Sequence, residues 1–309
     1  MKKLFSAIIL IFAFAIASLP LDSFSLLRQY LEKEEKTSFM GRQIHILYTP
    51  KGYHKFEVIV KHASSDKTRL EFVSPRSFSG YVMVWDEEGG VVIPPKRGRM
   101  PFHHPLSPRY LMDVQLDLIW KNAKVTQLGE EKIVGRKASV FLIKPAYVKG
   151  GYFKLWVDKE TGIRLRTERY SPSGQLLFLM YFVSLQLKPS FDKREFDIPR
   201  IVKKLKNYSK EELERLLHFR PLFPTFIPPG YKIVHQRPFF TKKQKGVLIH
   251  LTDGLNPITI LETPIPHRHP AISFPSQPEI VFLNIEGFSV FLTGNVDREV
   301  LEKVGRSLK

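Results

Sequence analysis

The feature that most limits the fold is a recurring alternation of apolar and polar residues, cut at short intervals by Gly, Pro or Asp. "GRQIHILYTP" and "YHKFEVIVKH" approximate period two, with "TPKGYH" as the turn between them. "KTRLEFVSP" and "GYVMVWDEEGGVVIPP" continue the pattern, and Glu87–Gly90 is a strong hairpin signal. "KVTQLGEEKIVGRKASVFLIKP" reads as two strands across a Gly-containing turn, and "GQLLFLMYFVSLQLKP" as a last long strand with cover on both faces. Long helices do not alternate with these strands. The pattern therefore predicts one curved antiparallel sheet rather than βαβ units.

The hairpin "YFKLWVDKETGIRLRTERY", Tyr152–Tyr170, sits inside this run. Alternation puts Tyr152, Lys154, Trp156 and Asp158 on one side and Phe153, Leu155 and Val157 on the other. In the second strand Ile163, Leu165, Thr167 and Arg169 oppose Arg164, Arg166, Glu168 and Tyr170. Asp158 is placed to cap the turn, and Gly162 to take a positive φ.

Helical spacing occurs in four places. Leu26, Leu27, Tyr30 and Leu31 predict a helix over Ser23–Lys36. "RYLMDVQLDLIWKN", from Tyr110, predicts a second helix with Leu111, Val114, Leu118 and Ile119 on one side. Ser209 followed by Glu212 has capping-box spacing before Leu213, Leu216 and Leu217. Asp297 and Glu299 open a helix over Val296–Leu308. Between the first two helices, "KRGRMPFHHPLSP" is basic, Pro-rich and aromatic, and reads as a loop over an opening. Composition shifts after Asp192. The reading is a signal peptide over 1–18, a first domain over 22–196, a connector with a short helix over 197–218, and a second domain over 219–309. That second domain holds five strands and the closing helix.

The N-terminus carries Lys2, Lys3 and the apolar stretch Leu4–Ala17, ending in small residues. This is the pattern of a secretory signal cleaved soon after Ala17. The alternative, a retained anchor, is disfavoured because the stretch is shorter than the ~20 residues that span a bilayer. Cysteine is absent, which excludes disulfides, thiol nucleophiles and thiolate metal sites. The formal net charge is +18. On an exported chain this points to anionic lipid, lipopolysaccharide-like glycolipid or an acidic partner rather than nucleic acid; a solvated basic face explains it equally.

Catalytic patterns are missing: no Gly-x-Ser-x-Gly elbow, no phosphate-binding Gly-x-x-x-x-Gly-Lys loop and no helical His-x-x-x-His. His103 and His104 are adjacent and point apart in an extended chain. His267 and His269 have no acidic third ligand beside them. Neither an enzyme, a metal nor a cofactor is expected. Lys96, Arg97, Arg99, Phe102 and His103 form a candidate anion-and-acyl contact, to which Trp156, Arg164, Arg166 and Arg169 would add if their faces agree. Solvated strand edges are the competing reading.

Three stretches resemble one family. "GRKASVFLIKP" with "GYFKLWVDKETGIRLRTERYSPSGQLL" resembles the N-terminal domain of the periplasmic RseB/MucB proteins. "IPPGYKI" with "VLIHLTDGLNPITILE" is similar to their second domain, and "FSVFLTGNVDREVLEKVGRSL" to its final strand and helix. His250, Asp253, Gly254 and Leu255 match the family pattern in "HLTDGLN". The first domain of that family also resembles the lipoprotein carriers LolA and LolB. The resemblance implies an α+β chain. An open antiparallel half-barrel with plug helices would precede a smaller mixed α/β domain with an antiparallel sheet and a terminal helix. It also implies binding of the periplasmic segment of a single-span anti-sigma factor, with an acyl-bearing lipid, lipopolysaccharide-like or lipoprotein ligand sensed by the first domain.

Within "HLTDGLN" the reading gives Gly254 the turn, Asp253 the nearby amides, and Leu255 an inward position against its own sheet. Phe239, Phe240, Lys242, Lys243 and Lys245 are the expected partner contacts. The alternatives are a lipid or lipoprotein carrier with an extra domain, and an exported hydrolase with an unrecognised site.

Overall fold

Strand pairing follows chain order almost throughout. The computed structural model describes residues 22–63, 67–86, 89–95, 102–103, 117–198, 206–241, 244–265 and 279–309. The N-terminal residues 1–21 expected to direct export, the 104–116 stretch and "PHRHP" with its two histidines lie outside them.

The first sheet has eleven strands: β1 (Phe39–Thr49), β2 (Gly52–His62), β3 (Thr68–Ser74), β4 (Val82–Asp86), β5 (Gly89–Ile93), β6 (Phe102–His103), β7 (Ala123–Ile133), β8 (Arg136–Pro145), β9 (Tyr152–Asp158), β10 (Arg164–Tyr170) and β11 (Leu176–Leu187). Their spatial order is β6-β5-β4-β3-β2-β1-β11-β10-β9-β8-β7. Two meanders thus run outward from a central seam, where β1 pairs antiparallel with β11, Phe39 opposite Leu187. Every pairing is antiparallel, as the alternation predicts. The expected double cover of β11 is only partial. A register shift opposite Arg42/Gln43 interrupts the strand, and Val183 is exposed while Leu177 and Phe182 are buried.

α1 (Ser23–Glu35) starts where Asp22 accepts the Ser25 N–H at 2.9 Å. It lays Leu27 and Tyr30 on Phe141, Ile143, Leu155 and Val157. The fit is close at the hairpin turn: Gly162, at φ +77°, leaves a gap in which an added Cβ would lie 1.8 Å from the Tyr30 carbonyl oxygen. Of the helix expected from Tyr110, the described part is 117–122 (α2), whose Ile119 and Trp120 join the same cluster. The hairpin is therefore core on both sides. Leu155 and Val157 meet α1, whereas Trp156, equally buried, joins Val140, Ile163 and Leu165.

The second sheet has the order β12-β13-β14-β16-β15, from β12 (Lys232–Phe240), β13 (Lys245–Thr252), β14 (Pro257–Pro264), β15 (Glu279–Ile285) and β16 (Phe288–Gly294). α3 (Lys210–Leu217) begins with the expected capping box: Ser209 Oγ accepts the Glu212 N–H, and Glu212 accepts the Ser209 N–H. α3 and α4 (Arg298–Arg306) cover one face with Leu213, Leu217, Leu301 and Val304 on Val247, Ile249, Leu251 and Leu292. The short helix of the connector thus belongs to the second core.

An ionisable side chain sits inside that core. Glu262 on β14 is fully buried beside its cross-strand partners Val247 and Val290. Its Oε2 accepts the Leu222 N–H at 3.0 Å and its Oε1 has no partner. Burial pushes its carboxyl up to about 8, against the pull of that amide. The unfolded chain releases this proton near the ordinary glutamate range and the folded chain holds it. Stability therefore falls as pH rises from there to about 8 and is level above. Urea denaturation from pH 4.5 to 9 should show the fall, on the order of a few kcal/mol, and Glu262→Gln should remove it. An unchanged slope in the variant would assign the dependence elsewhere.

Candidate functional site

The "HLTDGLN" motif lies where the two sheets meet. β13 ends at Thr252, and a short-range hydrogen-bond set builds the turn that follows. Thr252 Oγ1 accepts the Gly254 N–H at 2.9 Å, and Asp253 Oδ1 accepts the N–H groups of Leu255 at 2.9 Å and Asn256 at 2.7 Å. Gly254 has φ +101°, the region where a side chain is strained. The two roles expected of Asp253 and Gly254 are thus present.

Leu255 points elsewhere. It packs inward, but into the first sheet's cluster, with Leu27, Tyr30, Phe141 and Leu155, rather than against its own sheet. Polar contacts continue the join. Asn122 donates to the carbonyls of Gly230 at 2.7 Å and Asp253 at 3.1 Å. Asn256 donates to Gly151 O at 2.9 Å, and Asn295 to Tyr170 O at 3.1 Å. Gly150 bridges Val296, and the Gly151 N–H donates to Asn295 O at 2.8 Å. Two glycines permit this approach: a Cβ on Gly151 would fall 1.7 Å from Asn295 Nδ2, and one on Gly150 2.8 Å from Asn256 Nδ2.

Three titratable groups are enclosed at this join. Arg169 from β10 is partly buried, and its enclosed Nε has no partner; nor have Asp253 Oδ2 and the Tyr231 hydroxyl. Burial lowers the Arg169 guanidinium's affinity for its proton, and Asp253 opposes this. Burial also raises the Asp253 carboxyl, against its bonds to the Asn256 and Leu255 amides, and raises the Tyr231 phenol. The Asp253 side chain lies near enough to Arg169 to favour the charged guanidinium, although the two form no direct ion pair among the described contacts.

The expected ligand residues divide. Trp156 and Arg166 come together: they are cross-strand partners, with the guanidinium 4.6 Å from the ring centre and Lys154 Nζ 4.5 Å from it. Arg166 also donates to Glu168. Arg164 goes to the opposite face, where it binds Glu34 of α1 at 2.7 Å. A register shift between Arg164 and Arg166 breaks the simple alternation there. Arg169 also lies on the α1 side, its guanidinium 5.6 Å from the Phe153 ring centre. Phe102 and His103 form β6, paired with Val92 and Val91. Lys96, Arg97 and Arg99 lie outside the described residues.

Among the expected partner contacts, Phe240 is exposed, whereas the Phe239 ring lies over the site of Gly246, 2.4 Å from where a Cβ would stand. Lys245 is already engaged: its Nζ donates to Leu217 O and sits 5.9 Å from the Phe219 ring centre. Lys242 and Lys243 lie outside the described residues. His250 Nδ1 is 3.0 Å from Thr259 Oγ1. Among the described residues no group of three or more His, Asp or Glu side chains is placed to hold a metal ion.

Sequence reading missed Asn122, Asn256 and Asn295, which act only through partners more than 30 residues away. The one local trace is the Gly150–Gly151 pair, which marks a close backbone approach. Leu255→Ala should cost about 2–4 kcal/mol by emptying the joint core. It should also split urea unfolding into two transitions, read by tryptophan fluorescence and far-UV circular dichroism. A single cooperative transition with unchanged midpoint would remove Leu255 from the join.

Residues 110–200 match the family model described as the MucB/RseB N-terminal domain. No curated protein matches the chain by sequence. Among solved structures, the complex of Pseudomonas aeruginosa MucA/MucB aligns at 15% identity and TM-score 0.65, covering 94% of this chain and 99% of that one. MucB in complex with MucA(peri) aligns at 16% and 0.62, covering 93% and 98%. MucB alone aligns at 17% and 0.59, covering 93% and 97%. The chain thus matches the MucB/RseB N-terminal domain over 110–200 and has, along nearly its whole length, the two-domain α+β fold of MucB.

Proposed function

We propose that this chain is a periplasmic binding protein that docks the periplasmic segment of a single-span anti-sigma factor and so modulates an envelope-stress sigma response. The observation that supports it best is the fold shared over 94% of the chain with MucB in a complex with MucA. The reading includes export with removal of the segment 1–18. It divides the mature chain into a half-barrel domain over 22–196, a connector over 197–218 and a second domain over 219–309. It calls for no covalent chemistry. The second domain and the join beside it provide the docking surface, with exposed Phe240 as an aromatic anchor.

The test is capture. Exported chain recovered from the periplasm, with an intact mass lacking residues 1–17, should retain a single-span inner-membrane protein through its periplasmic segment. Retention should weaken at high salt, since the chain is basic and rim charges are screened. Capture of an outer-membrane lipoprotein receptor instead would favour the carrier reading.

Acyl sensing is assigned to the first domain, with Lys96, Arg97, Arg99, Phe102 and His103 at its opening and the Trp156–Arg166 pair on its sheet. Each CH₂ that a ligand buries releases about 0.8 kcal/mol. Titration with fatty acids of increasing length should therefore show saturable binding that tightens with chain length. Absence of saturation at every length would leave the docking function without a lipid input.

A further inference from the structure

The end of the first sheet that carries the β1–β2 and β3–β4 turns is aromatic and basic. β2 pairs antiparallel with both β1 and β3, so the two turns share one end: Thr49 stands opposite Gly52, and Ser74 opposite Glu57. The β3–β4 turn folds back onto the start of β2. The Phe78 N–H donates to Pro75 O at 2.8 Å and the Gly80 N–H to Phe72 O at 3.0 Å. The Phe78 ring then lies 5.2 Å from that of Phe56 and 6.1 Å from that of Tyr81. On the other face of β2, Tyr53 meets its cross-strand partner Tyr48 at 6.3 Å. These rings do not form a core. Tyr53 is 64% exposed and Phe78 44%, while Phe56 and Tyr81 are partly exposed.

The charges at this end have one sign. Residues 49–56 and 73–81 hold Lys51, His54, Lys55 and Arg76, all exposed, and no Asp or Glu. The next carboxylates along these strands are already engaged: Glu57 with Arg42 at 2.7 Å, and Glu71 with Lys61 and Arg69 at 3.1 and 2.6 Å. Lys51, Lys55 and Arg76 make no ion pair among the described residues. Exposed rings in a group are unfavourable in water until something apolar receives them. A protein partner laid on the sheet would cover one face. Here rings stand on both faces of β2 with a basic residue beside each, His54 with Phe56 and Lys55 with Tyr53. That arrangement suits a medium that surrounds the tip. The bilayer interface receives aromatic rings at headgroup depth, while Lys and Arg stems lie along apolar surface and their heads reach anionic headgroups.

We infer that this end of the first sheet docks peripherally on an anionic bilayer surface, with Tyr53 and Phe78 seated among the headgroups and Lys51, Lys55 and Arg76 against their phosphates. The contact is with the bilayer as a surface, distinct from the binding of one acyl chain, and it does not depend on the protein partner proposed above.

The experiment is partition of the full exported chain onto large unilamellar vesicles, read by co-sedimentation. Binding should rise as phosphatidylglycerol replaces phosphatidylcholine and fall at high salt. Tyr53→Ser combined with Phe78→Ser should lower partition about tenfold or more through lost apolar contact. Tyr53→Ser alone, at the most exposed ring, should lower it in the same direction with Tm unchanged, which covers the case in which Phe78→Ser disturbs its turn. Lys51→Gln with Arg76→Gln should weaken binding at low salt and leave it unchanged at high salt. Phe78→Trp should add a fluorescence signal that shifts to the blue on vesicles and is quenched by brominated lipid. No partition onto phosphatidylglycerol vesicles, or undiminished partition in the ring variants, would overturn the inference. So would abolition of vesicle binding by a monomeric short-chain phosphatidylglycerol, which would make this end the mouth of an acyl site. A dimer that depends on Phe78, without vesicle binding, would make it a contact between copies and overturn it as well. Capture of the single-span protein from detergent solution should be unchanged in every variant; its loss in the ring variants would make the tip a protein contact, and its failure in the unaltered chain would strike the docking function alone.

Discussion

The join between the two sheets is centred on the turn Asp253–Asn256, with Gly230, Asn295 and Val296 making contacts beside it. Leu255 reaches out of its own sheet into the core beneath α1. For the side chain to arrive there, two backbones must approach within contact distance, which is why Gly150 and Gly151 cannot carry side chains. Once the backbones are that close, their carbonyls are cut off from water and need donors. Asn122, Asn256 and Asn295 supply them, each bond contributing about 1 kcal/mol net but costing more if removed. Arg169, partly buried here, is favoured in its charged form by the nearby Asp253. Hydrophobic burial, close approach and hydrogen bonding thus stand or fall together.

The first sheet shows how cations can be housed without an external partner. Arg166 stacks on Trp156 and donates to Glu168; Arg164 binds Glu34; Lys61 binds Glu71 and Glu195 at 3.1 and 2.5 Å; Arg136 binds Asp158 at 2.5 Å. Each places its charge beside a carboxylate, and the Asp158 case also holds the hairpin turn through Thr161 at 2.6 Å. Against that background the second sheet's basic face differs in kind. Arg237 there has aromatic and branched neighbours but no carboxylate among the described residues of that face.

Much of the fold was legible because alternation is a local signal. The strand runs, the Asp158–Gly162 turn, the Ser209 capping box and the closing helix were all readable from residues less than ten apart. What failed was alternation across bulges. The extra residue at Leu165 sends Arg164 and Arg166 to different faces, although their spacing by two predicts one face. The site was less legible. "HLTDGLN" reads as a turn, and it is one, yet nothing local says that Leu255 would leave its own sheet. Asn122 and Asp253 lie 131 residues apart, and their bond exists only once both sheets have formed. Unpartnered groups such as the Tyr231 hydroxyl are invisible in a sequence for the same reason, because lack of a partner is a property of the assembled neighbourhood.

β13 runs directly into the join. His250 on β13 precedes Asp253 by three residues, and Thr252 between them accepts the Gly254 N–H. A strand paired on both sides, as β13 is with β12 and β14, does not stretch or slip without breaking its ladder. A displacement of β13 would therefore be carried to the turn that places Leu255 among Leu27, Tyr30 and Phe141. Any ligand that spreads the first sheet under α1 pulls on the same turn from the other side. Linkage would make such effects reciprocal: any free energy that a ligand of the first sheet put into the join would appear, with the same magnitude, in the affinity of a partner bound at the second. The size of that coupling is bounded by what the join can lose. Leu255, at about 2–4 kcal/mol, and four asparagine bonds at about 1 kcal/mol each set a ceiling above the roughly 1–3 kcal/mol at which allosteric couplings typically operate.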